Sequence, residues 1–404
     1  MKKSFPIKPL QSLCDDFKQD IVDGPFGSEL KREDYITEGI PVLKIQNVKP
    51  FAIELKKMDY VSVGKFHELR RHSFRRGDIV MTKLGSPLGV SAIVEDLEEG
   101  VIVADLVRVR AQQINTKYLC YHLNSQRTND FINSMQKGTT RPRVTLSVVR
   151  ELPIYAPPLP EQQRIVGILD EAFADIATAK ANAEKNLHNA RALFESHLQS
   201  VFTQRGPGWV DRQLASLCHE ITVGHVGPMR TQYKESGVPF LRSQNIRPFE
   251  ISMENAMFID AAFHRALKKS QLRPGDLAIV RTGYPGTAAV IPPELPDSNC
   301  SDLVIVRPSK EVSPHFLAAF FNSAFGKQLV LGKIVGAAQK HFNITAAKDV
   351  MLHVPPMPEQ RAIIVKSDKM RAETQRLSSI YQQKLDALEA LKKSLLHQAF
   401  TGAL

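Results

Sequence analysis

The chain has 404 residues, 43% hydrophobic and 24% charged, a globular balance that excludes wholesale disorder and, at roughly 150 residues per domain, allows two to three domains. Its 53 Lys and Arg against 42 Asp and Glu leave +11 and a pI near 9.4, which favours polyanionic partners without proving one. No run approaches the ~20 uncharged apolar residues of a bilayer span. The basic start leads into no apolar signal core, and Cys14, Cys120, Cys218 and Cys300 form no CxxC pair. A cytoplasmic protein with no membrane partner, zinc ribbon or disulfide scaffold is expected.

From the N-terminus, residues 1–155 are broken by Gly and Pro and carry short β-rich runs, Val42-Leu43-Lys44-Ile45, Ile79-Val80-Met81 and Val101-Ile102-Val103. A short helix is expected around 117–126, with its counterpart around 314–327. Residues 156–205 then read as one long helix entered through Pro160, with Glu161 complementing the helix dipole. Small or apolar residues recur at Ile165, Leu169, Ala172, Ile176, Ala179, Ala183, Leu187, Ala190, Phe194, Leu198 and Val201. That spacing is a heptad seam flanked by charge. Gly206-Pro207-Gly208 breaks it. Residues 206–354 form a second globule and 355–404 a second long helix, entered through Pro358 and seamed by Met370, Thr374, Leu377, Tyr381, Leu385, Leu388, Leu391, Leu395 and Ala399.

The second half repeats the first. Gly39-Ile40-Pro41-Val42-Leu43-Lys44-Ile45-Gln46-Asn47 returns 198 residues later (237 − 39) as Gly237-Val238-Pro239-Phe240-Leu241-Arg242-Ser243-Gln244-Asn245. Arg76-Gly77-Asp78 answers to Pro274-Gly275-Asp276, and Pro157-Pro158-Leu159-Pro160-Glu161-Gln162 to Pro355-Pro356-Met357-Pro358-Glu359-Gln360. Ordered matches with small gaps define two copies of one unit. A helix of ~40 residues would reach about 60 Å, too long to be buried in either globule. The expected fold is therefore α+β: two tandem mixed α/β globules, each followed by a long helix. The helices are expected to pair as an antiparallel coiled coil with pseudo-two-fold symmetry. Packing of each helix on its own globule is the alternative.

Catalytic constellations are wanting. The two Pro-Pro pairs lack the Asn or Asp and the aromatic of an adenine methyltransferase, and no GxxxxGK[ST] loop occurs. His219-Glu220 opens like HExxH, but Val223 stands where the second His belongs. Asp23 with Glu29-x-Lys31 is a faint metal-nuclease pattern, and Cys14 and Cys218 sit in matching Leu-x-x-Leu-Cys contexts that suit core packing.

The order and duplication of Asp23-Gly24-Pro25-Phe26-Gly27-Ser28, Gly39-Ile40-Pro41, Arg76-Gly77-Asp78 and the two Pro-Pro-x-Pro-Glu-Gln helix entries resemble type I restriction–modification DNA specificity subunits across essentially the whole chain. The resemblance implies a non-catalytic subunit with two target recognition domains, each reading half of a bipartite asymmetric site on double-stranded DNA. It further implies spacer helices that dock two adenine-N6 methyltransferase (modification) subunits, with two restriction motor–nuclease subunits added in the full restriction enzyme. This subunit would carry no cofactor; S-adenosylmethionine, ATP and Mg²⁺ would belong to those partners. The competing function is a coiled-coil scaffold for a protein partner, without a DNA role.

Arg and Lys suit guanine or phosphate, and Asn and Gln suit adenine. The leading candidates for DNA contact are Thr140, Arg141 and Arg143, matched in the second unit by Gln339, Lys340 and His341. A second pair of loops offers Lys83 and Ser86 against Arg281 and Tyr284, the tyrosine being suited to stack on a base or sugar. A third offers Lys44, Gln46 and Asn47 against Arg242, Gln244 and Asn245, where the recurring Gln-Asn is equally compatible with a structural role. The Gly24–Ser28 turn could present backbone N–H groups to phosphate.

Overall fold

The computed structural model describes residues 6–138, 140–204, 206–332 and 342–404. They form two compact units, residues 1–183 with 383–404 and residues 184–382. Each consists of one globule and a piece of each long helix.

In the first unit a four-stranded antiparallel sheet runs in the order Ser91–Ile93, Ile79–Thr82, Leu106–Val109, Ile21–Asp23. Ile79–Thr82 reads as a continuous apolar run because both of its faces are covered. Ile79 and Met81 point into a core with Leu119 and Tyr118, while Val80 joins Leu43, Phe74 and Ile102 on the other side. Leu277–Val280 divides in the same way in the second unit: Leu277 and Ile279 meet Phe316 and Phe320, and Ala278 and Val280 meet Leu241 and Cys300. The order Cys218–Val223, Leu303–Pro308, Leu277–Val280, Ala288–Val290 reproduces the sheet.

A second, mixed sheet packs against the first. Its one parallel pair joins Ile40–Leu43 to Glu99–Ile102 in the first unit and Val238–Leu241 to Ser298–Cys300 in the second. The Gly-x-Pro landmark starts these strands for a steric reason. Gly39 has φ +154° and Gly237 φ +139°, and a Cβ would fall 2.5 Å from the Val61 carbonyl oxygen or 2.4 Å from that of Ile259. Each expected single helix over 117–126 and 314–327 is instead the first of a pair. Thr116–Leu123 is followed by Gln126–Met135, and Pro314–Asn322 by Ala324–Gly332. Ser125 and Ser323 interrupt by accepting from Thr128 N (3.4 Å) and Gly326 N (3.0 Å).

The long helices span Leu159–Thr203 and Met357–Ala399. Pro160 and Pro358 are the second residue of each, within the turn where a missing N–H is harmless. The following glutamine fastens the helix to its globule. Gln162 is 4% exposed, accepts from Asn115 N (2.8 Å) and donates to Pro157 O (2.7 Å). Gln360, fully buried, accepts from Ser313 N (2.8 Å) and donates to Pro355 O (2.9 Å).

Within each unit the two helix pieces run antiparallel. In the first, Lys392 Nζ lies 4.8 Å from the Phe173 ring and Glu389 stands 4.0 Å from Lys180. In the second, His197 meets Ser367 at 3.3 Å. Ile165, Leu169, Ile176, Ala183, Ala190 and Leu198 of the expected seam are buried. Leu391 departs from it: it is 46% exposed, and the stem of Lys392 takes the inward position against Phe51 and Phe173. Each helix ends in a phenylalanine plug. Phe400 packs on Tyr118 and His122 (5.4 and 4.7 Å between ring centres), and Phe202 on Phe316 and Phe320 (5.3 and 5.4 Å). The first long helix thus starts on the first globule and ends in the core of the second unit; the second helix does the reverse.

Candidate nucleic-acid interface

Two of the sequence-selected loops in the first unit are joined by backbone hydrogen bonds. Gly85 N donates to Pro142 O (2.9 Å), Val144 N to Lys83 O (3.0 Å), and Lys137 and Arg143 exchange bonds of 2.9 and 3.0 Å. The third loop lies alongside, since a Cβ on Gly85 would sit 3.9 Å from the Ile45 side chain. Ser86, Thr140, Arg141 and Arg143 are exposed on this edge. In the second unit Phe342 N returns to Arg281 O (3.2 Å), the counterpart of the Val144–Lys83 bond. Gln339, Lys340 and His341 lie outside the described residues. Asp302 ties the other two loops together, accepting from Ser243 Oγ (3.2 Å) and Thr282 Oγ1 (3.2 Å).

Five of the candidate cations have partners. Lys83 Nζ pairs with Asp23 at 2.6 Å, Arg141 with Asp105 at 3.6 Å and Arg281 with Asp302 at 3.8 Å. Lys44 pairs with Asp59 and lies 4.3 Å from the Tyr35 ring centre. Arg242 donates to Asn255 O at 3.2 Å. A phosphate approaching these groups competes with a carboxylate already there, so the pairs fix the direction of each cation at some loss of free positive charge.

Two sets of sequence expectations are corrected. Asn47 and Asn245 are 1% and 0% exposed, with the whole amide engaged by the backbone. Asn47 Oδ1 accepts from Lys44 N (3.0 Å) and its Nδ2 donates to Glu54 O (2.9 Å); Asn245 does the same with Arg242 N (3.0 Å) and Ser252 O (3.0 Å). Neither can reach a base edge. They lock the turn that leaves Gln46 and Gln244 exposed beside them, each amide donating to a carbonyl, Lys57 O at 3.5 Å and Asn255 O at 3.3 Å. The Gly24–Ser28 turn offers fewer N–H groups than expected, because Gly24 N donates to Leu106 O (3.2 Å) and Phe26 N to Glu29 Oε2 (2.9 Å).

The groups that faintly suggested catalysis have structural partners. Asp23 pairs with Lys83, Glu29 closes its own turn, and Glu220 pairs with Arg307. Among the described residues no three His, Cys, Asp or Glu side chains converge as metal ligands. Burial pushes the thiols of Cys14, Cys120 and Cys218 up to about 12, so they remain protonated at neutral pH.

Sequence reasoning passed over the side chain of Phe26, 68% exposed at the tip of its turn, and the basic flank of Tyr284. Tyr284 borders a groove of about 560 Å³ shared with Gln244, Arg247 and Lys327. Phe26 stood inside a quoted landmark, but nothing in the sequence distinguishes an exposed ring from a core one.

Residues 77–186 match the family model described as the type I restriction modification DNA specificity domain. The chain is 27% identical over 143 residues to the type I restriction enzyme EcoDI specificity subunit of Escherichia coli, covering 35% of this chain and 31% of that one. With the EcoKI specificity subunit of E. coli K12 it shares 20% over 322 residues, 71% of this chain and 65% of that one. The chain therefore spans less than two thirds of the length of these relatives. A chain solved in work on the assembly and conformational transition of the type I R-M system superposes with a TM-score of 0.79 at 19% identity, covering all of both chains, a likeness of fold. Residues 77–186 thus carry the type I restriction modification DNA specificity domain, and the chain at large is similar to type I restriction enzyme specificity subunits. No described helix is long and apolar enough to cross a membrane.

Proposed function

We propose that this chain is the non-catalytic DNA-reading subunit of a type I restriction–modification complex, each globule recognising one half of a bipartite, asymmetric site. The observation that carries the reading is the pairing of one frame with two different loop sets. Asn47 and Asn245, and Gln162 and Gln360, make equivalent bonds in the two units, whereas Lys83 and Ser86 of the first correspond to Arg281 and Tyr284 of the second at the loops those frames support. Equal frames with unequal contact groups read unequal sequences.

In this reading the long helices set the gap between half-sites and dock two adenine-N6 methyltransferase subunits, which bind S-adenosylmethionine. Two restriction motor–nuclease subunits, where present, bring ATP and Mg²⁺. The leading base-contacting groups are Arg141, Arg143, Gln46, Gln244 and Tyr284, with Lys340 and His341 proposed from the sequence alone. Lys44, Lys83, Arg242 and Arg281 serve phosphates and orientation. Exchanging residues 1–155 for another recognition domain should change one half of the methylated motif and leave the other. Methylome sequencing in which both halves change, or neither does, rejects this assignment.

A further inference from the structure

Among the described residues the exposed Phe, Tyr and Trp side chains are Phe26, at 68%, and Tyr284, at 84%. There is one in each unit, and each stands beside the loops described above. Phe26 tips a turn that leaves the strand Ile21–Asp23, whose last residue pairs through its carboxylate with Lys83 at 2.6 Å. The turn is braced by Gly24 N on Leu106 O (3.2 Å), by Phe26 N on Glu29 Oε2 (2.9 Å) and by Glu29 N on Phe26 O (2.9 Å). Tyr284 stands between Gly283 and Gly286, both at φ +89°, and Thr287 N closes its turn on Tyr284 O at 3.2 Å.

The two rings occupy different loops. The counterpart of Phe26 is Val226, 73% exposed after the matching Gly224, whose N–H bonds Leu303 O at 2.8 Å as Gly24 bonds Leu106. The counterpart of Tyr284 is Ser86. An aromatic group has thus been kept at the edge of each unit while its position within the edge differs. Leaving a ring in water forgoes the gain of burying it, and both turns are braced by hydrogen bonds that keep the ring from folding back. The surroundings suit a polyanion: Arg247 and Lys327 line the groove beside Tyr284, and Lys83 lies next to the Phe26 turn.

We propose that Phe26 and Tyr284 are the ring contacts to DNA, one per half-site, each packing on the face of a base at a locally unstacked step. This rests on the DNA-reading function above. Apolar and aromatic side chains wedge between base steps and hold a kink that brings more backbone against the protein, and a base face accepts a ring whatever its sequence. Because the rings stand on different loops, the unstacked step falls at a different place in each half-site. Phe26, which has no polar atom, reads deformability of the step alone. Tyr284 adds a hydroxyl able to bond a phosphate or a base edge.

The test uses the full chain assembled with its methyltransferase subunits, without S-adenosylmethionine. It is bound to duplexes of the methylated motif carrying 2-aminopurine at successive positions other than the methylated adenine. The expected result is a fluorescence rise at one step in each half-site. Phe26→Ala should abolish the rise in the half read by residues 1–155 and weaken cognate binding between roughly fivefold and a hundredfold. Tyr284→Ala should act only on the other half. Phe26→Tyr and Tyr284→Phe should retain both rises, and Val226→Ala should change neither. Both rings are exposed, so thermal melting should not move. Alanine variants that bind and fluoresce like wild type overturn the proposal; if they impair assembly with the methyltransferase instead, the rings contact protein. A wild-type complex that shows no preference for its own methylated motif overturns the DNA-reading function itself, and this proposal with it.

Discussion

Phe51 and Phe249 occupy matching turns, and each is clamped between a ring from the first long helix and a cation from the second. In the first unit the first long helix brings Phe173 (5.7 Å between ring centres) and the second brings Lys392 (4.8 Å). In the second unit the first helix brings Phe194 (5.8 Å) and the second brings Arg371 (4.7 Å). By repeat number Phe173 corresponds to Arg371 and Phe194 to Lys392, each pair being 198 residues apart. The clamp keeps its chemistry although the helix following each globule supplies the ring in the first unit and the cation in the second. Its specification therefore lies in the antiparallel pairing and in neither helix alone.

The plug phenylalanines give the largest test of that exchange. Phe400→Ala should cost on the order of 3–5 kcal/mol and loosen residues around Tyr118 and His122. Phe202→Ala should cost the same and loosen the neighbourhood of Phe316 and Phe320, although it belongs to the helix that follows the first globule. Hydrogen exchange read by peptide checks the assignment. Faster exchange in the first globule for Phe202→Ala would show that each helix end serves its own repeat.

His122 separates the units by pH. It occupies the position of Phe320, accepts from Tyr155 N at Nε2 (3.1 Å) and meets Thr128 Oγ1 at 3.1 Å. Desolvation first, then the nearby Arg127 cation, lower its pKa from 6.5 to about 3. A base with a depressed folded pKa is protonated first in the unfolded chain. The stability it contributes is thus whole above pH 6.5, falls with pH below that, and is fully lost near 3. His122→Phe should remove this dependence from the first unit and move its acid unfolding midpoint downward. Near neutral pH it should cost about 1–3 kcal/mol for the unpaired Tyr155 N–H. Acid titration followed by circular dichroism and by exchange in each unit would show it, the second unit serving as the reference.

The smallest expected effect concerns backbone strain at the clamp. Phe51 and Phe249 have φ of +69° and +66°, the left-handed region that bulky residues avoid. Their rings, wedged against the helices, offset that strain. Glycine at either position loses the ring but is relaxed, so Phe51→Gly should be about 1 kcal/mol less destabilising than Phe51→Ala. Chemical denaturation of the two variants measures the difference; equality would mean that the turn reshapes once the ring is gone.

Much of the frame was legible in the residues because its causes are local. The apolar run at Ile79–Thr82, the prolines at each helix entry and the i, i+3/i+4 spacing from Ile165 to Leu198 act over one or two turns of chain. Leu391 was misread for the same reason. Heptad spacing admits it to the seam, but the Phe51 ring selects the neighbouring Lys392 stem. The contact loops were found as loops, because polar residues around glycine announce them. What each side chain does there was not legible: Asn47 and Gln46 are adjacent and chemically alike, yet the turn carbonyls of Glu54 and Lys56 take one amide and leave the other exposed.

By itself the sequence determined the duplication, the α+β composition of each repeat, the two long helices and the family they resemble, since each rests on patterns within a few tens of residues or on repetition itself. The tertiary structure alone decided which helix end enters which core, which cations are already paired, that the loops at 83–86 and 140–143 meet, and that Phe26 and Tyr284 stay in water. Those outcomes depend on contacts between residues from about 15 to about 340 positions apart in the chain. They form only when packed surfaces bring them together, so no local pattern records them.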